Sequence, residues 1–108
     1  MMESAECTPR ECRNLIQEES GCVILDVRTP EEYSRGHIET AKNIDYFSPS
    51  FPEIIKCLDK TRKYLVYCKK GIRGEKTCRM IKEQGFPFVV NIRGGIDGWQ
   101  EEGLPVKK

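Results

Sequence analysis

The segment Cys68-Lys69-Lys70-Gly71-Ile72-Arg73-Gly74 places a nucleophile, three cations and two glycines within seven residues. It directly follows the apolar run Tyr64-Leu65-Val66-Tyr67, so Cys68 stands where a strand stops and before a helix starts. A helix N-terminus exposes unpaired backbone N–H groups and the positive end of the macrodipole, and a tight glycine turn aims further N–H groups inward as an anion nest. Those features, with Lys69, Lys70 and Arg73 nearby, favour a thiolate over a thiol. Such a thiolate attacks an electrophile and carries a covalent intermediate. Gly71 supplies positive φ or a close backbone approach to bound sulfur. Lys69 and Lys70 steer an anion or remain solvated charges. Arg73 organises the loop through a scaffold acid, contacts an anion, or does both. Ile72 is expected to pack the loop rather than touch substrate.

Local signals around this loop define the elements that must position it. Thr8-Pro9-Arg10-Glu11, Thr29-Pro30-Glu31-Glu32 and Ser50-Phe51-Pro52-Glu53 each pair a hydroxyl N-cap with a glutamate three residues on, which starts helices near 9, 30 and 51. The first presents Cys12, Leu15 and Ile16 on one face; the third presents Phe51, Ile54, Ile55 and Leu58. The second ends before Gly36. Residues 22–25, 64–67 and 88–92 read as strands covered on both faces, with a weaker strand at 41–44. A fourth helix fits 74–84 with Cys78 and Ile81 inward and Gly85 as terminator, and a short last helix surrounds Trp99, a core anchor. Strands alternating with helices predict an α/β layered domain with a parallel sheet and right-handed crossovers. Ligands of such sheets sit beyond the carboxyl ends of the strands. Asp26 and Arg28, just past one such end, lie near the rim that carries Cys68, either supporting the loop or bracing their own turn as an ion pair, the latter being preferred.

Composition narrows the function classes. The chain has 108 residues, 38% hydrophobic and 32% charged, enough for one domain: residues 1–7 as an N-terminal extension and 8–108 as the folded unit. Lys+Arg number 18 against 17 Asp+Glu, a net charge of +1, which argues against general nucleic-acid or membrane-surface binding. No apolar run exceeds five residues and no secretory signal opens the chain, so a cytoplasmic protein is expected. In that compartment the six cysteines are expected to be reduced. Cys7 and Cys12 flank Thr8 as a hydrophobic staple, Cys12, Cys22 and Cys78 fall on buried stripes, and Cys57 is expected to be partly exposed. Cys7, Cys12 and Cys22 lack the paired spacing of a zinc site.

The loop resembles the active-site loop of the rhodanese domain. Leu25-Asp26-Val27-Arg28 with Pro30-Glu31-Glu32-Tyr33 and Gly36-His37-Ile38 is similar to that family's upstream motif, and Gly94-Gly95-Ile96-Asp97-Gly98-Trp99 to its carboxyl-terminal one. The resemblance implies a rhodanese-like three-layer fold, with a central, mostly parallel sheet of about five strands flanked by helices. It also implies a sulfurtransferase in which Cys68 takes sulfur from a small anionic donor such as thiosulfate, becomes a persulfide, and passes the sulfur to cyanide, a thiol or a protein acceptor. Residues 69–74 would form the cradle, with no metal, nucleotide or flavin required. His37 is structural in this setting. Four residues separate Cys68 from Arg73, the family's sulfur-transfer loop length; related phosphatases and arsenate reductases have one more. Those enzymes, a sulfur relay to a biosynthetic partner and a non-catalytic interaction module are the rival readings. Gly74 and Thr40 depart from the family pattern, which often has serine at the first position and proline or glycine at the second.

Overall fold

The computed structural model describes residues 5–18 and 21–108. Ten elements alternate along the chain: β1 (Ala5–Cys7), α1 (Pro9–Glu18), β2 (Cys22–Asp26), α2 (Pro30–Arg35), β3 (Lys42–Asn43), α3 (Phe51–Lys56), β4 (Lys63–Tyr67), α4 (Ile72–Glu83), β5 (Val89–Ile92) and α5 (Gly95–Glu101). The strands form one sheet in the order β1-β5-β4-β2-β3, with every pairing parallel. The chain moves outward from β2 to β3 on one side and from β4 to β5 on the other. The crevice between the carboxyl ends of β2 and β4 is therefore a topological switch point.

Side-chain alternation builds a core on each face of the sheet. Leu65 and Tyr67 of β4 join Ile24, Val90 and Ile92 under Cys12, Ile96 and Trp99. Tyr64 and Val66 point the other way, toward Leu25 and Val89 beneath Phe51, Ile55, Cys78 and Ile81. α1 and α5 cover one face, α3 and α4 the other, which gives the three layers.

Local chemistry explains the helix starts. At Thr8 and Thr29 the hydroxyl accepts from the backbone N–H of Glu11 and Glu32 (3.2 Å each), and those glutamates accept from the threonine N–H groups at 2.9 and 3.0 Å. The third box does not form. Ser50 adopts φ −87° and ψ 2°, and its hydroxyl meets the Ser48 hydroxyl at 3.1 Å instead. α3 ends at Lys56, so only Phe51 and Ile55 of its expected apolar stripe are fully buried, and Ile54 is left exposed. α4 begins at Ile72, two residues before the expected start, because left-handed Gly71 turns the chain early and its carbonyl accepts from Glu75 N–H at 2.9 Å.

Residues 5–7, read above as part of an N-terminal extension, pair with β5 as an edge strand; residues 1–4 lie outside the described residues. None of the six cysteines is joined in a disulfide. Cys12 and Cys78 are buried, Cys57 is exposed, and Cys22 is only half-buried because it opens β2 at the sheet's end. Burial pushes the Cys78 thiol up to about 12 and drives Cys12 up as well, so both are poor nucleophiles.

Candidate active site

β4 delivers Cys68 to the switch-point crevice, and α4 starts four residues later. Between them the chain wraps around the sulfur. The backbone N–H groups of Gly71 and Gly74 donate to Cys68 Sγ at 3.1 and 3.2 Å. Gly71 has φ +115°, a conformation that L side chains rarely adopt, and this turns its N–H inward. Cys68 is only 1% exposed, yet it lines a cavity of about 190 Å³ together with Lys69, Lys70, Ile72 and Arg73. The sulfur thus sits at the floor of a small opening with amides aimed at it, suited to a slender electrophile.

The other half of the loop is pinned from α5. Ile96 N–H donates to the Cys68 carbonyl at 2.9 Å and Asp97 N–H to the Lys69 carbonyl at 3.1 Å. The first N–H groups of α5, which have no partners within their own helix, are satisfied by the start of the loop. Glycine at 95 makes this approach possible: a Cβ there would collide with the Cys68 and Lys69 carbonyl oxygens.

Each cation of the loop has an acidic partner. Lys69 and Lys70 Nζ meet Asp97 Oδ2 at 3.1 and 3.0 Å. Partial burial opposes the Asp97 charge, but hydrogen bonds from Lys70 and Lys69 outweigh it and hold the carboxyl below its ordinary value. Arg73 forms a two-pronged pair with Glu32, Nη1 to Oε1 at 2.9 Å and Nη2 to Oε2 at 3.1 Å, and its guanidinium lies 5.7 Å from the centre of the Phe47 ring. Arg73 therefore organises the loop by tying α4 to α2. Ile72, expected to pack the loop, is 69% exposed, because the first helical position points outward beside the cavity mouth.

Asp26 and Arg28 form a buried ion pair (Nη2 to Oδ2, 2.6 Å), and Arg28 also donates to the Gly36 carbonyl at 2.6 Å. They brace the β2–α2 turn, one strand away from Cys68. His37 stacks on Tyr33 at 3.9 Å between ring centres and shares a backbone bridge with Lys107. Sequence reasoning passes over three residues that touch the loop: Glu32, Asp97 and Asn91. The available signal for Asn91 was a polar side chain inside a run read as buried on both faces; for the two acids there was none beyond membership of their motifs.

The Arg73 hydrogen bonds are the main reason that the Glu32 carboxyl falls to about 2 from its ordinary 4.5. A carboxyl depressed on folding stabilises the fold above its unfolded value and loses that contribution as pH falls through the folded one. Stability is expected to decline as pH drops from about 4.5 toward 2. Glu32→Gln flattens this acid limb while lowering stability at neutral pH, and urea midpoints measured across that range check both effects.

A family model for the rhodanese-like domain matches residues 8–102. The chain belongs to the rhodanese-like family. Rhodanese relatives at full length include a protein named thiosulfate sulfurtransferase GlpE from Actinobacillus pleuropneumoniae, 29% identical over 94% of this chain and 92% of its own length. A protein named putative sulfurtransferase YtwF from Bacillus subtilis is 33% identical over 96% and 98%. Among solved structures, a rhodanese-related protein of Thermoplasma volcanium superposes with a TM-score of 0.84 at 30% identity, covering 95% of this chain and 97% of the other. The three-layer architecture and parallel sheet are those of the rhodanese fold.

Proposed function

We propose that this rhodanese domain is a thiosulfate sulfurtransferase that carries sulfur on Cys68. One observation carries the reading: Cys68 Sγ rests on two inward-turned N–H groups, at 3.1 and 3.2 Å, at the floor of a cavity. Two N–H donors aimed at one sulfur are the fixed electrostatic support that a transferred, negatively charged sulfur needs. In the first step the Cys68 thiolate attacks the outer sulfur of thiosulfate, a new S–S bond forms, the donor's S–S bond breaks, and sulfite leaves with the electron pair. In the second step cyanide or an acceptor thiolate attacks the terminal persulfide sulfur, and the Cys68 thiolate is released. Splitting one transfer into two displacements predicts ping-pong kinetics. The amides of residues 69–74 hold the negative terminal sulfur as a preorganised cradle, the arrangement that stabilises oxyanions elsewhere. No redox partner is consumed.

Exposure at the mouth favours a protein acceptor alongside small nucleophiles. Ile72 of the cavity lining is 69% exposed, and Phe47, whose ring packs against Arg73, is 65% exposed, apolar surface that a small anion does not need. The reading belongs with a reducing, cytoplasmic setting, in keeping with six cysteines and no disulfide among them. Among the described residues no helix is long and apolar enough to cross a membrane.

The deciding experiment is the intact mass of the full chain after exposure to thiosulfate. A gain of one sulfur atom, located by digestion on Cys68 and released by cyanide as thiocyanate, is the expected result. Release of phosphate from an aryl phosphate with no thiocyanate formed would overturn the assignment in favour of the phosphatase reading.

A further inference from the structure

β5 reads Val89-Val90-Asn91-Ile92, and all four side chains are buried. Strand alternation puts Asn91 on the face of Val89, beside its register partner Val66 and under α4. At 1% exposure its amide has left water entirely, which is unfavourable unless hydrogen bonds replace those given up. Only half of that replacement occurs. Nδ2 donates to the Gly71 carbonyl at 3.2 Å, while Oδ1 has no hydrogen-bond partner. Oδ1 instead occupies the space that a side chain at 74 would fill: a Cβ on Gly74 would collide with it.

The one amide therefore touches Gly71 and Gly74, and these are the two residues whose N–H groups bind Cys68 Sγ. Gly71 is in a left-handed conformation, so its peptide orientation depends on what holds its carbonyl; Glu75 N–H does so from α4 and Asn91 Nδ2 from the sheet. A hydrophobic residue at 91 would match Val89 and Ile92 and avoid the orphaned oxygen, yet it would leave the Gly71 carbonyl without its anchor in the sheet.

We propose that Asn91 is the positioning residue of the sulfur cradle: its amide, seated between the Gly71 carbonyl and the Gly74 backbone, holds both glycine N–H groups on Cys68 Sγ. Asn91 acts through the backbone and does not touch substrate. The proposal rests on the reading of Cys68 as the nucleophile. The charged and titratable groups around the sulfur are Lys69, Lys70, Arg73 and Cys78, with Glu32 and Asp97 paired behind the cations, and Asp26 paired with Arg28 at the end of β2. An Asn91 substitution changes none of them.

The test is the rate at which iodoacetamide alkylates Cys68 in the full chain as a function of pH, with digestion to separate it from exposed Cys57, which serves as the internal control. For Asn91→Leu the Cys68 alkylation profile is expected to change, with about a tenfold slower reaction near neutral pH, because the two N–H groups are no longer held on Sγ. The same variant is expected to melt at or above the parent's temperature, since it removes an unpartnered buried oxygen. A residue with a merely structural role would do the reverse, lowering the melting temperature and leaving the profile in place, and that result overturns the proposal. Asn91→Ala carries the same readout if the leucine variant fails to fold. Iodoacetamide contains no sulfur to transfer. A Cys68 that fails to take sulfur from thiosulfate therefore overturns the proposed reaction, whereas an unmoved alkylation profile overturns the role of Asn91.

Discussion

Cys68→Ser is expected to abolish the proposed thiocyanate formation from thiosulfate and cyanide, lowering turnover by at least about a thousandfold, to the uncatalysed background. The serine hydroxyl stays protonated near neutral pH and cannot form the S–S bond on which both displacements depend. The fold survives, because a hydroxyl oxygen also accepts from Gly71 and Gly74 N–H, the two donors that hold Sγ in the parent. Thermal melting of the variant separates loss of chemistry from loss of structure, and intact mass reports whether sulfur is still taken up. Uptake on Cys57, the exposed thiol, with turnover preserved would place the nucleophile outside the loop.

Gly95→Ala is expected to be the most damaging single-methyl change in the chain. Gly95 has φ +62°, and its Cβ would run into the backbone of Cys68 and Lys69, where no side chain can swing away. To make room, α5 must retreat from the loop, breaking the bonds from Ile96 N–H to Cys68 O and from Asp97 N–H to Lys69 O. Left-handed strain of roughly 1 kcal/mol and two lost hydrogen bonds of about 1 kcal/mol each sum to about 3 kcal/mol. For a domain of this size that corresponds to a fall in melting temperature of roughly 10–20 °C. Turnover measured well below the new melting point should fall too, since the displaced carbonyls belong to Cys68, the proposed nucleophile, and to Lys69. Melting within about 2 °C of the parent would show that the two backbones are not in the close contact described. Gly94→Ala is a milder comparison: its Cβ would meet only the Gly98 backbone, Cα at 3.3 Å and N at 3.6 Å.

The sequence by itself determined the order of the helices and major strands, the place of Cys68 at the end of β4 and the length of the loop that follows it. Those features are written in short-range terms: the two threonine capping boxes, a four-residue apolar run ending at a cysteine, and glycines at 71 and 85 where the chain turns with positive φ. Local signals also misled where geometry differed slightly, as at Ser50, whose backbone angles deny it the capping role its residue type predicts. Only the tertiary structure decided how the loop is held. Arg73 finds Glu32 41 residues away, Lys69 finds Asp97 28 away, and Gly71 finds Asn91 20 away. Residues 5–7 become a strand because β5 offers them an unpaired edge; three residues are too short a run to signal a strand by themselves. Such partners are chosen by which backbones the parallel crossovers bring together, and that distance through space is not encoded in the spacing along the chain.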